Sequence, residues 1–179
     1  MRDGAAGNGG PVDLPALLGT IADVEEIRPG LWTWTAPHPE WHEQPLVRSY
    51  AVEREGAVVL FDPVSPPSVL VAGREVRVAL TCPWHARSAP QLAAAEAAVD
   101  ARPAFYPDER VLWLAEHGGL VFGDSFPGGP VPDEWLPNGQ TRADYRAWLA
   151  PFLELPVELV LPTHGDPGGR DLLERALAE

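Results

Sequence analysis

Residues 79–89 read ALTCPWHARSA, and this one stretch holds a thiol (Cys82), an indole (Trp84), an imidazole (His85) and a guanidinium (Arg87). An imidazole and a thiol so close together can ligate a metal or, less simply, perform nucleophilic chemistry. No charged side chain adjoins Cys82 in sequence to lower its pKa, so its plainer reading is a small buried hydrophobe. Elsewhere, Ser125 follows Gly123-Asp124 but lacks the Gly-x-Ser-x-Gly elbow of a hydrolase nucleophile. His38 and His42 share a loop with Glu40 and Trp41, a composition that suits a surface loop or the rim of a pocket. His117 adjoins Gly118-Gly119 and reads as an exposed turn residue.

Strands must position these groups. LWTWTA, VRSYAVERE, AVVLFDPV, VRVALTC, RVLWLAE, LVFGDSF and VELVLPT have strand composition, with turns at Glu55-Gly56 and His117-Gly118-Gly119. SPPSVLVAG has room for a short helix. From Ser88, SAPQLAAAEAAVD predicts a helix, with Ser88 as N-cap and Pro90 in the first turn. Thr141 and Asp144 predict a capping box for TRADYRAWLAPFLEL, and RDLLERALAE predicts a final helix. Strands dominate the first half and alternate with helices in the second, so helices pack on sheet. Residues 1–12 read as a disordered tail and 13–179 as one domain, with the Pro-rich loop at 127–138 as a surface excursion.

The chain has 179 residues, 45% of them hydrophobic, enough for a proper core. A net charge of −13 argues against nucleic acid or an anionic membrane as partner, because phosphate would be repelled. A small-molecule ligand is the partner class left open; oligomeric state is not legible. All 13 basic residues are Arg, which we read as a trace of GC-rich bacterial coding. A single cysteine cannot form an internal disulfide, and no signal-like or membrane-spanning apolar run occurs, so the expected compartment is the cytoplasm.

FDPV at 61–64, LTCPWHARSA at 80–89, GDS at 123–125 and LPTHGDP at 161–167 arrive in an order that resembles the metallo-β-lactamase fold superfamily of metal-dependent hydrolases. The resemblance spans residues 27–179 and implies a short α/β, four-layer αβ/βα sandwich with its site at one edge, between the two sheets. It implies that Asp62 shapes the site, that Asp124 matches the metal-bridging Asp, and that His164 matches the C-terminal His ligand. Aligned on Thr81, Cys82, Trp84, Ala86 and Arg87 stand where the family has His, His, Asp and His. A further His is expected near 100–108, where DARPAFYPD has none. The chain therefore resembles a shortened member with an eroded His-x-His-x-Asp-His motif.

Two expectations follow. In the first, the old site is degenerate and non-catalytic, and Trp84, Arg87, Asp124 and His164 line a cleft for a small ligand, with Arg87 forking Asp124 in place of the missing cation. Seven Trp are more than a core of this size needs, which suits an aromatic cleft. In the second, His85 shifts into the vacant slot, and His85, Asp124 and His164 hold at most one zinc, iron or manganese ion in a hydrolase of an ester, thioester, lactone or phosphoester. Loss of ligands, above all at Ala86, weighs for the first.

Overall fold

The computed structural model describes residues 23–40, 46–92 and 94–179. The expected tail at 1–12, and Trp41 and His42, lie outside the described residues. The run AVVLF forms the central strand β4 (Ala57–Phe61), and all five of its side chains are buried. Two-fold alternation explains that burial: Val59 and Phe61 enter one apolar cluster, whereas Val58 and Leu60 enter another on the opposite face.

Around it lie β1 (Glu25–Arg28), β2 (Leu31–Ala36), β3 (Val47–Arg54), β5 (Glu75–Ala79) and the two-residue β6 (Ala95–Glu96). They form a six-stranded sheet in the order β1-β2-β3-β4-β5-β6. The β3–β4 hairpin closes at Glu55-Gly56, both at positive φ (53° and 79°), as a tight two-residue turn requires. β5 then runs parallel to β4, reached through the short helix α1 (Ser68–Val71). A second sheet has the order β10-β9-β8-β7, from β7 (Asp100–Pro103), β8 (Arg110–Leu114), β9 (Gly119–Phe122) and β10 (Leu159–Pro162). Its last pair, β9 and β10, is also parallel.

The sheets stack face to face. Leu31, Tyr50, Val59 and Phe61 of the first meet Leu112, Leu114, Val121 and Leu161 of the second. Helices α2 (Arg142–Leu149) and α3 (Asp171–Ala178) cover the outer face of the second sheet, where Tyr145, Leu149, Leu173 and Ala176 pack on Leu120, Phe122 and Val160. The first sheet's outer face buries Trp34, with Trp32 partly buried beside it, and is covered by α1 and short turns. The arrangement is α/β in four layers, thin on one side. The capping box at Thr141 and Asp144 forms in full.

The Ala-rich helix expected from Ser88 does not form. One 3₁₀ turn at Ala89–Leu92 is followed by β6, which adds to the edge of β5. The preference of Ala for helix is worth only a fraction of a kcal/mol per residue. Here the backbone is claimed by sheet pairing, with Ala97 N–H donating to the Val78 carbonyl at 2.8 Å, before the chain crosses to the second sheet. Ser88 Oγ is spent on the loop after β4, where it accepts from Ser65 N–H at 3.0 Å.

A buried side-chain hydrogen bond helps to tie the two sheets at the end nearest the loops of interest: Tyr50 O–H donates to the Pro162 carbonyl at 2.8 Å. Tyr50→Phe leaves that carbonyl buried and unpaired, and is expected to lower unfolding free energy by about 1–3 kcal/mol in a denaturant titration. An unchanged midpoint would mean that apolar packing and the other cross-sheet bonds fix the sheet spacing without it.

Candidate metal centre

The parallel pairs β4–β5 and β9–β10 end at the same edge, and the loops that leave those carboxyl ends carry the polar groups. Asp62 follows β4, Thr81–His85 follow β5, Asp124 follows β9 and His164 follows β10. Cross-sheet bonds hold these ends together: Arg48 N–H donates to the Thr163 carbonyl at 2.9 Å, and Arg110 N–H to the Thr81 carbonyl at 2.7 Å. Within the second sheet, Thr163 N–H donates to the Phe122 carbonyl at 2.9 Å.

Asp62 is fully buried and sits at φ 46°, a region that Asp tolerates better than most side chains. Its Oδ1 accepts from Thr81 N–H at 2.8 Å, and its Oδ2 from Thr81 Oγ1–H at 2.6 Å. Oδ2 also lies 2.9 Å from His85 Nδ1. His85 stands on a 3₁₀ turn, Pro83–Ala86, started by Pro83 and closed by His85 N–H on the Cys82 carbonyl at 3.1 Å. With Nδ1 held on Asp62, Nε2 faces Asp124 Oδ1 at 3.3 Å and His164 Nε2 at 3.5 Å. His164 Nε2 is 2.9 Å from the same Asp124 oxygen. Trp84 Nε1–H donates to Asp124 Oδ2 at 2.9 Å.

Three donor atoms, one from each of His85, Asp124 and His164, thus form a triangle with sides of 2.9, 3.3 and 3.5 Å. Ligands about 2.0–2.2 Å from a tetrahedral ion are separated by roughly 3.3–3.6 Å. The two sides at His85 fall in that range and the Asp124–His164 side is shorter, so the three groups fit one cation, with a fourth position open, once that side widens. Cys82 Sγ adjoins the triangle, lying with donor atoms of His85 and Asp124 inside a 4.8 Å span. Asp62 supplies the carboxylate–histidine contact that typically orients a metal-ligating imidazole.

Charges are coupled across the cluster. Burial by itself would push the His85 imidazole down, but its hydrogen bonds to Asp124, Asp62 and Cys82 prevail and carry it up to about 11. Burial likewise opposes ionisation of Asp124, yet the bonds from His164, His85 and Trp84 hold its carboxyl well below the usual range. Burial pushes the Cys82 thiol up against a hydrogen bond with His85 that favours the thiolate.

Of the residues expected to line a cleft, Trp84, Arg87, Asp124 and His164 all border one cleft of about 230 Å³, together with His38, Glu40 and His85. Trp84 is half exposed at its mouth. The expected Arg87–Asp124 fork is not made. Both Asp124 oxygens are engaged by His85, His164 and Trp84, and the Arg87 guanidinium nitrogens are buried with no hydrogen-bond partner among the described residues. The side chain that meets Asp124 instead is His85, because the turn at Pro83 aims its ring at the carboxylate.

Three participants escaped sequence reading. Thr81 relays Asp62 to the turn, as described. Glu109, one residue beyond the stretch where the resemblance places a histidine, is buried and accepts from both the N–H and the Oγ–H of Ser125. Ser125 is itself fully buried, so this bonding makes it a structural donor. Burial pushes Glu109 up to about 7, although the Ser125 bonds act the other way. Gly123 is the trace of this packing in the sequence, since a Cβ there would lie 2.4 Å from Glu109 Oε1 and 2.6 Å from Thr81 Oγ1. The Pro-rich loop is also more than a surface excursion: Pro127, Pro130 and Trp135 join Tyr106, Asp124 and His164 around a second cleft of about 610 Å³.

No family model and no curated relative matches the sequence. Solved structures do match the fold. A metallo-β-lactamase from Erythrobacter litoralis superposes with a TM-score of 0.61 at 15% identity, over 87% of this chain and 90% of that one. An NDM/FIM-1-like metallo-β-lactamase from the same organism, in a mono-zinc form, gives 0.59 at 15% identity, over 88% and 95%. A metallo-β-lactamase from Pontibacter korlensis gives 0.51 at 15% identity, over 88% and 98%. Identities this low speak to architecture alone, and by architecture this chain is a short α/β protein with the metallo-β-lactamase fold.

Proposed function

We propose that the protein is a mononuclear metal-dependent hydrolase of an ester, thioester, lactone or phosphoester, with His85, Asp124 and His164 as the metal ligands. The observation that carries this reading is the donor triangle, two of whose three sides match the edges of a tetrahedral coordination shell. A bound zinc, iron or manganese ion would supply Lewis acidity, polarising a carbonyl or phosphoryl oxygen and acidifying water. The chain's own groups do the rest. Asp62 keeps His85 Nδ1 occupied, so that Nε2 faces the centre; Trp84 holds the second oxygen of Asp124; the two flanking clefts accept the substrate on either side. The mono-zinc relative of the same fold agrees with a single ion.

A second reading, a non-catalytic module that binds a small ligand, draws on two features. Ala86 stands where the family resemblance puts a water-orienting Asp, and His85 as imidazolium satisfies Asp62 and Asp124 without any ion.

Metal analysis separates them. Protein purified without chelator or His-tag is expected to hold near one equivalent of metal, and Asp124→Ala or His164→Ala to hold almost none. Asp62→Asn is expected to weaken zinc binding about 10–100-fold while the chain still folds. Chelator-sensitive turnover of an ester, thioester, lactone or phosphoester panel would complete the case for the hydrolase. A full metal site with no turnover would leave the module.

The metal-free network makes its own prediction. The His85 pKa is raised from an ordinary 6.5 to about 11, so its stabilisation is complete below pH 6.5 and drains away as pH rises toward 11. Glu109, raised from 4.5 to about 7, also loses stability with rising pH, but only up to neutrality. Between about pH 7 and pH 9 the melting temperature of the apoprotein is therefore expected to fall by several degrees, and that of His85→Asn to stay flat. A flat wild-type profile would show that the imidazole is neutral in the folded state.

A further inference from the structure

The indole of Trp135 is half exposed, yet the loop that carries it is pinned from both sides. Its short 3₁₀ turn, Asp133–Trp135, closes with Trp135 N–H donating to the Pro132 carbonyl at 3.0 Å. Arg142 of α2 braces the same turn, its Nη2 donating to the Val131 carbonyl at 2.7 Å and its Nε to Asp133 Oδ1 at 3.1 Å. From the other side, Tyr106 O–H donates to the Trp135 carbonyl at 3.2 Å, and Tyr106 N–H donates to Ser125 Oγ at 3.1 Å. A large apolar ring gains stability only where something covers it. Bracing one in a half-covered position therefore points to a contact made with a ligand.

Trp135 and Tyr106 border the cleft of about 610 Å³ that Asp124 and His164 also border. Pro127, Pro130 and Pro132 supply much of its remaining wall, and proline has no N–H to donate. Gly165 lets this wall abut the His164 turn, since a Cβ there would lie 2.7 Å from the Pro127 carbonyl oxygen. Among the described residues, the titratable side chains on the cleft are Tyr106, Asp124 and His164. The hydroxyl of Tyr106 is spent on Trp135, and the other two belong to the donor triangle. Glu134, beside Trp135 in the turn, is exposed and places negative charge near the rim. An anionic group seated along this wall would meet no cationic side chain, in a protein whose net charge is −13. A flat neutral ring would meet two aromatic side chains and three pyrrolidine rings.

We infer that this cleft seats a neutral aryl group of the substrate, next to the bond to be cleaved, and that Trp135 and Tyr106 select it. That the group belongs to a substrate rests on the metal reading above; the aryl site itself does not. The hydrolase would thus favour substrates that place a neutral ring on the Trp135 side of His85, Asp124 and His164 over aliphatic substrates or those with an anionic group there.

Naphthylacetamide, its anionic counterpart naphthylacetate and the aliphatic hexanamide are the probes. Each is titrated by calorimetry into metal-free protein, where no ion competes for the carboxylate. Naphthylacetamide is expected to bind saturably, and each of the other two about tenfold more weakly or worse. Trp135→Ala is expected to weaken naphthylacetamide about fivefold or more, and Trp135→Phe to recover most of that loss. Both variants are expected to keep the melting temperature and the zinc uptake of the wild type, because the indole is half exposed and does not touch the donor triangle. Equal affinity for all the probes, tighter binding of the anion, or a naphthylacetamide affinity that Trp135→Ala leaves unchanged would each overturn the inference. If the wild type takes up no zinc, the metal reading falls, and the titration of metal-free protein still decides the aryl site. If zinc binds and naphthylacetamide does not, the aryl site falls and the metal reading stands.

Discussion

One buried carboxylate organises the end of the molecule where the two sheets meet. Asp62 leaves the central strand at a positive φ and turns its side chain onto the neighbouring strand's exit, taking both the N–H and the hydroxyl of Thr81. Its remaining capacity goes to His85 Nδ1. A carboxylate this enclosed survives only with every acceptor site used, so the turn from Thr81 to His85 has to adopt the path that brings those donors in. That path fixes which face of the imidazole meets Asp124 and His164. The site's geometry is the consequence of solvating one charge in a place without water.

The same bookkeeping of buried charge explains the layout around it. Two carboxylates, an imidazole between them and a third carboxyl group at Glu109 lie within one sheet edge of an acidic protein. They are compatible because each is balanced differently. His85 takes a proton readily, Glu109 keeps its proton near neutrality, and Asp124 is stabilised as an anion by three donors. Gly123 gives Glu109 and Thr81 the space to approach, since any side chain there would collide with both. Arg87 is the exception to this balance: its guanidinium nitrogens are buried with no hydrogen-bond partner among the described residues.

Much of the fold was legible. Continuous apolar runs such as AVVLF and GLVF marked strands buried on both faces, because period-two alternation between two apolar layers leaves no polar position. The Glu55-Gly56 turn and the Thr141–Asp144 box were legible because their chemistry is local. The Ala-rich stretch after Ser88 misled for the opposite reason: weak helix propensity was overruled by an open sheet edge and by the need to cross between sheets. Glu109 was hidden because nothing in FYPDERVLW distinguishes a buried carboxylate from a solvated one.

By itself, the order of FDPV, TCPWHAR, GDS and PTHGD determined the architecture and the short list His85, Asp124 and His164, because strand pattern and residue type are written in one dimension. Tertiary structure alone decided which side chain partners Asp124. Arg87 and His85 are two residues apart and equally plausible on paper. Only the 3₁₀ turn that Asp62 imposes brings the imidazole nitrogen to 3.3 Å from the carboxylate and leaves the guanidinium buried with no hydrogen-bond partner. Direction in space, set by a turn of four residues, is not encoded in spacing along the chain.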